Sequence, residues 1–149
     1  MDTLDLLKQV ELFDGLTDAQ IARLAALCSE ETFGKDQVIF AQGQPGDALY
    51  VVREGFVEVI VGHGGDGPET PKSVVNLGTG QMFGEMALVD RGPRSATVRA
   101  VSEQTVVDRL QRDAFLSLCD ADPDLGYAVM RNLAADLSFK LRHRNLSRR

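Results

Sequence analysis

The sequence predicts a mainly β domain, an antiparallel barrel or sandwich with helices at both ends. Between Val38 and Val107 the chain breaks into short runs of β-branched and aromatic residues, separated by glycine and proline turns. No long helical pattern lies between those runs, which opposes a parallel sheet with crossover helices. Helical periodicity is confined to the first thirty residues and to the stretch after Arg112.

Taken in order, Leu4, Leu6, Leu7 and Val10 form a short apolar stretch, and Asp14-Gly15 is a turn. Thr17 is placed to cap a helix on which Ile21, Leu24, Ala25 and Leu27 recur at helical spacing. Strand character begins after Glu31. Runs are expected at Val38–Phe40, Ala48–Val52, Phe56–Val61, Ser73–Leu77, Ser95–Val101 and Thr105–Val107. Gly34, the segment 43–47, Glu54-Gly55 and Gly78-Thr79-Gly80 supply turns, and the glycine- and proline-rich segment 62–72 reads as an exposed hairpin loop holding an unpartnered His63. A short helix is expected at residues 114–119. Asp122-Pro123 is then a start signal, an N-cap carboxylate before a proline at the first helical position. Leu125, Val129, Leu133, Leu137 and Leu141 draw one apolar stripe along the helix that follows.

The 149 residues suit one domain, with N-terminal helices over 1–30, a β region over 31–111 and C-terminal helices with a basic tail over 112–149. Apolar content of 44% and charged content of 26% are those of an ordinary globular protein. Apolar runs are too short to span a membrane, and the acidic start is no signal peptide, so a cytoplasmic location is expected. Cys28 and Cys119, far apart and outside any C-x-x-C, read as small packed residues and not as a metal site or disulfide. The net charge of −6 hides an asymmetry. Residues 140–149 carry five basic groups and no acid, leaving 11 basic and 22 acidic groups, a net −11, on the rest. Such a body opposes broad nucleic-acid binding by counterion release, and the tail reads first as a solvated helix end whose cations suit the helix dipole.

The segment "FGEMALVDRGPRSATVRA", Phe83 to Ala100, concentrates the chemistry. Gly84 stands where a short helix over residues 85–89 would begin, an arrangement that offers backbone N–H groups to an anion. Arg94 can present a planar fork to a phosphate, and Ser95 adds a hydroxyl. Glu85 would repel that phosphate. It is useful if the same ligand also presents a hydroxyl donor, as a ribose 2′-OH does, and a compact nucleotide is the ligand that combines the two. The rival reading is an internal Glu85–Arg94 ion pair bracing a loop. The segment offers neither a nucleophile with a base nor the lysine of a phosphate-binding P-loop, so it is built to bind and not to catalyse.

These residues resemble the phosphate-binding cassette of the cyclic nucleotide-binding domain family. Phe83-Gly84-Glu85-Met86-Ala87-Leu88, a five-residue spacer and Arg94-Ser95-Ala96 fit its pattern. The turn from Gly43 to Gly55 and the stretch "LFDGLTDAQIARLA" are also similar to family segments, so the resemblance covers roughly residues 10–146. It implies an eight-stranded jelly-roll barrel with a cassette at 83–96. Arg94 would pair with the cyclic phosphate, Ser95 would add its hydroxyl and N–H, and Gly84 and Ala96 would offer backbone N–H groups. Glu85 would accept from the ribose 2′-OH, with Met86 and Ala87 completing the binding set. Ser95 is compatible with cyclic AMP, where a threonine would suit cyclic GMP, and cyclic AMP is the expected ligand. Candidates for contact with the base are Val74, Phe83, Thr97, Leu133 and Leu137.

The resulting expectation is a non-enzymatic, bacterial-type cyclic nucleotide sensor. No DNA-binding unit follows the long helix before Arg149, so a stand-alone domain is expected, signalling to an effector protein or through a homodimer formed by that helix. Two alternatives are an interaction module that has stopped responding to nucleotide and a regulatory fragment of a larger protein. A nucleic-acid binder acting through the basic tail ranks behind both.

Overall fold

The computed structural model describes residues 1–62 and 72–147. His63, nearly all of the expected hairpin loop and the last two residues of the basic tail lie outside the described residues. The N-terminal part holds α1 (Thr3–Lys8), a 3₁₀ turn (Glu11–Phe13) and α2 (Asp18–Leu27). Thr17 caps α2 as expected. Its hydroxyl accepts from the Gln20 N–H at 3.2 Å, and the Gln20 side chain accepts from the Thr17 N–H at 2.9 Å, a reciprocal capping box.

Eight strands follow: β1 (Ser29–Gly34), β2 (Val38–Phe40), β3 (Ala48–Glu54), β4 (Val57–Gly62), β5 (Lys72–Leu77), β6 (Met82–Phe83), β7 (Thr97–Ala100) and β8 (Gln104–Gln111). They form two antiparallel four-stranded sheets, in the orders β1-β8-β3-β6 and β2-β7-β4-β5. This is the jelly-roll arrangement, with one correction. The sheets face each other as a sandwich and do not close into a barrel, because among the described residues no strand ladder joins one sheet to the other.

Three boundaries differ from the sequence reading for physical reasons. The segment Ser29–Gly34 pairs along its length with β8 although it reads "SEETFG", because it is a sheet edge whose solvent side tolerates charge. β8 runs on past Val107 through Asp108 and Arg109, since the Asp108 carboxylate is buried against the Arg53 guanidinium at 2.7 Å. Finally, β7 begins at Thr97 and not at Ser95. The Arg94 N–H donates to the Gln44 carbonyl at 2.6 Å and its carbonyl accepts from the Gly43 N–H at 2.9 Å, so the turn at 43–46 takes the bonds that a strand ladder would need.

β3 is buried on both faces and divides the interior in two. Ala48, Tyr50 and Val52 face the space between the sheets, with Phe40, Val57, Phe83, Val98 and Val107. Leu49 and Val51 face the helices. There α3 (Arg112–Ala121) and α4 (Pro123–Ser147) pack with the N-terminal elements around Phe115, Leu125, Val129 and Leu133. The Asp122 carboxylate caps α4 by accepting from the Leu125 N–H at 3.2 Å, and it also takes a 2.7 Å ion pair from Arg23 on α2. Asn132 donates to the carbonyls of Leu12 and Asp14, both at 2.9 Å, fastening α4 to the N-terminal turn.

Cys28 and Cys119 are unpaired, and burial, aided by the Asp108 charge, pushes the Cys28 thiol up to about 12, which keeps it inert. Among the described residues no cluster of His, Cys, Asp and Glu could hold a metal ion, and no helix is long and apolar enough to cross a membrane.

Candidate functional site

A cavity of about 570 Å³ opens between the sheets where the segment 84–96 crosses the start of β3. Gly84 leads into a 3₁₀ turn, Glu85–Leu88, one residue shorter than the expected helix. Its φ of 77° is left-handed, and a Cβ built there would stand 2.7 Å from Arg94 Nη1. Only glycine meets both conditions without strain. Gly46, in the turn before β3, approaches from the other side, where a Cβ would come 3.0 Å from Arg94 Nε.

Arg94 is thus clamped. It is 7% exposed, and its guanidinium lies 4.0 Å from the centroid of the Phe40 ring. Nη2 donates to the Ala48 carbonyl at 2.9 Å and Nη1 to the Gly84 carbonyl at 3.3 Å. Nε is enclosed and makes no hydrogen bond, and among the described residues no carboxylate forms an ion pair with this arginine. Burial lowers its pKa from the ordinary arginine value, with Tyr50, Asp47 and Glu85 opposing the shift. A cation withdrawn from water without a counter-ion is costly. The protein holds one here, at the wall of a cavity.

Glu85 does not pair with Arg94, so the internal-brace reading fails. Its carboxylate turns to α4 and accepts from Lys140 Nζ at 2.8 Å. Ser95 is exposed and lines the cavity, as do Met86 and the buried Ala87 and Ala96. Phe83 lines it too, stacked on Tyr50 at 5.1 Å between ring centroids.

The remaining candidates for base contact lie elsewhere. Val74 stands on the outer side of β5, and the Thr97 hydroxyl accepts from the Gln42 N–H at 2.9 Å. Neither residue lines the cavity. Leu133 is 1% exposed within the helical core and Leu137 packs against the same core, because α4 turns its stripe inward from Leu125 to Leu137, while Leu141 at the end of the stripe is exposed. The apolar wall of the cavity comes instead from Val59, Val75, Leu77 and Val98. Val59 pairs with both Val75 and Val98, and cross-strand partners share a face. The alternation Val57-Glu58-Val59 therefore carried a signal for this wall. Nothing local marked Lys140, which stands 55 residues from Glu85 in sequence.

Residues 30–122 match the family model of the cyclic nucleotide-binding domain. The chain belongs to that family. Among relatives of the domain, the cyclic AMP receptor protein of Thermus thermophilus is 36% identical over 94% of this chain and 61% of its own length. A CRP-like cAMP-activated global transcriptional regulator of Mycobacterium tuberculosis is 29% identical over 89% of this chain and 58% of its own. The chain thus spans about three fifths of either regulator. The crystal structure of the N-terminal domain of a transcriptional regulator from Streptomyces coelicolor superposes with a TM-score of 0.79 at 31% identity, covering 93% of this chain and 94% of that one.

Proposed function

We propose that this domain senses cyclic AMP, in preference to cyclic GMP, and passes binding on to a partner protein through its helices. The observation that carries the reading is Arg94, a buried guanidinium whose Nε makes no hydrogen bond and which has no carboxylate partner, at the wall of a cavity sized for a mononucleotide. In this reading the cyclic phosphate supplies the missing anion. Ser95 adds its hydroxyl and N–H, and Gly84 and Ala96 add backbone N–H groups. Glu85 accepts from the ribose 2′-OH, while Met86 and Ala87 close the edge of the site. The base lies against the wall of Val59, Val75, Leu77 and Val98. The names of the two regulators above, both tied to cyclic AMP, support the choice of ligand.

The relay has a physical basis in the 3₁₀ turn. Glu85, at its start, borders the cavity, whereas Leu88, at its end, is fully buried in the helical core with Phe115 and Leu125. A ligand that draws in Glu85 therefore moves a residue packed under α3. It can shift that equilibrium only by its differential affinity for the two arrangements, typically about 1–3 kcal/mol. The receiver is a protein, either a second copy or an effector, since the net −11 of residues 1–139 disfavours nucleic acid. The reading makes the chain a cytoplasmic binding protein with no catalytic step of its own.

Calorimetric titration with cyclic AMP, cyclic GMP and 5′-AMP tests this. The expected result is saturable heat and a raised Tm with cyclic AMP, weaker with cyclic GMP and absent with 5′-AMP. No heat and no stabilisation at millimolar cyclic nucleotide would overturn it and leave an interaction module of the same fold.

A further inference from the structure

We propose that Lys140 is a positioning residue of this site, holding the Glu85 carboxylate for the ribose 2′-hydroxyl and so tying α4 to the sugar. The inference rests on the cyclic-nucleotide reading and goes beyond it, because Lys140 lies outside the segment 83–96 and borders the cavity from another element.

The geometry is a chain of three charged groups. Glu85, its side chain only 12% exposed, accepts from Lys140 Nζ at 2.8 Å. Asp136, one helical turn earlier on α4, lies 3.0 Å from the same ammonium. Partial burial alone would depress the Lys140 pKa. The hydrogen bond and charge of Glu85, followed by the nearby Asp136 carboxylate, outweigh that effect and raise it, so the lysine stays cationic.

Two consequences follow for a ligand. A free carboxylate sharing a cavity with a cyclic phosphate would repel it, and the ammonium cancels that charge while leaving the oxygens able to accept. A carboxylate has about four lone-pair positions, and Lys140 takes one of them on Oε1. The hydroxyl and the ammonium can then share Glu85, and the sugar reports to α4 through one side chain. The inner face of α4 is already anchored by Asn132 and Leu133, so Lys140 extends a fixed helix to the cavity rim.

The test compares cyclic AMP with 2′-deoxy cyclic AMP on the folded chain of residues 1–149, by calorimetry, in the wild type, Lys140→Met, Lys140→Arg, Glu85→Gln and the double variant Glu85→Gln/Lys140→Met. In Lys140→Met the affinity for cyclic AMP is expected to fall about tenfold, and the preference for cyclic AMP over the deoxy ligand to shrink at least about threefold. Lys140→Arg keeps both. In the Glu85→Gln background, loss of Lys140 changes neither by more than about twofold, because residues that act through one another are not additive. A purely structural Lys140 would lower Tm and leave the preference intact, and that outcome overturns the inference alone. A wild-type protein that binds neither ligand overturns the cyclic-nucleotide reading and this inference with it.

Discussion

The two ends of strand β3 each meet an arginine drawn into the fold, half-buried Arg53 and buried Arg94, and the protein treats them in opposite ways. Near the far end, Arg53 donates to Asp108 from both Nη2, at 2.7 Å, and Nε, at 3.4 Å, and adds bonds to the Thr3 hydroxyl and the Met1 carbonyl. Every donor group has a partner and the charge is neutralised. At the near end, Arg94 has two carbonyls, an aromatic ring and no anion. A satisfied guanidinium is a tie between elements, here joining the N-terminus to β3 and β8. An unsatisfied one, held rigid by Gly46, Gly84 and Phe40, keeps a charge without a counter-ion at the cavity wall. Burial alone does not distinguish them; the inventory of partners does.

The largest expected effect is at the paired arginine, Arg53. Asp108→Ala removes the buried carboxylate and leaves half-buried Arg53 without its counter-ion, and is expected to destabilise the fold by about 3–5 kcal/mol. Urea denaturation reads that loss, and the affinity for cyclic AMP of the remaining folded protein should be unchanged. An Asp108 variant as stable as the wild type would show that the pair is no tie.

Arg94→Leu should behave in the opposite sense. Affinity for cyclic AMP falls by at least about a hundredfold, some 2.7 kcal/mol. Stability without ligand holds or rises, since an uncompensated buried cation has been replaced by an apolar side chain. Calorimetry and a melting curve on the same sample decide it. A large drop in Tm with ligand binding retained would reverse the roles assigned to the two arginines.

The smallest expected effect, on the glycine clamp, sharpens the picture. Gly84→Ala forces a Cβ to within 2.7 Å of Arg94 Nη1 at a left-handed φ, for a cost of about 1–2 kcal/mol in stability. Ligand affinity should fall with it as the guanidinium is displaced. Equal losses in Gly43→Ala, where nothing stands within 4 Å of the added Cβ, would mean that backbone strain and not the clamp is responsible.

Local rules made much of this legible before any tertiary contact was known. The Thr17 cap, the Asp122-Pro123 start of α4, and the strands expected at 38–40, 48–52 and 73–77 follow from short-range preferences that the fold extended by at most two residues. The Gly84-Glu85 and Arg94-Ser95 pairs were visible because they stand within a dozen residues of one another in the sequence. Where the structure places a candidate residue away from the cavity, a partner distant in the chain decides the placement. Val74 and Val75 are indistinguishable until the pairing of β4 with β5 assigns one to the cavity wall. Leu133 and Leu137 look as available as any residue of the stripe until the N-terminal helices cover them.

By itself, then, the order of residues determined most of the strands, the helix caps and the placing of Gly84, Glu85, Arg94 and Ser95 in one short segment, because each depends on neighbours along the chain. Tertiary structure alone decided that Glu85 would face Lys140 and that Arg94 would be left without a carboxylate. Electrostatic partnership is a matter of separation in space, and only the packing of α4 and β3 against residues 83–96 set those separations.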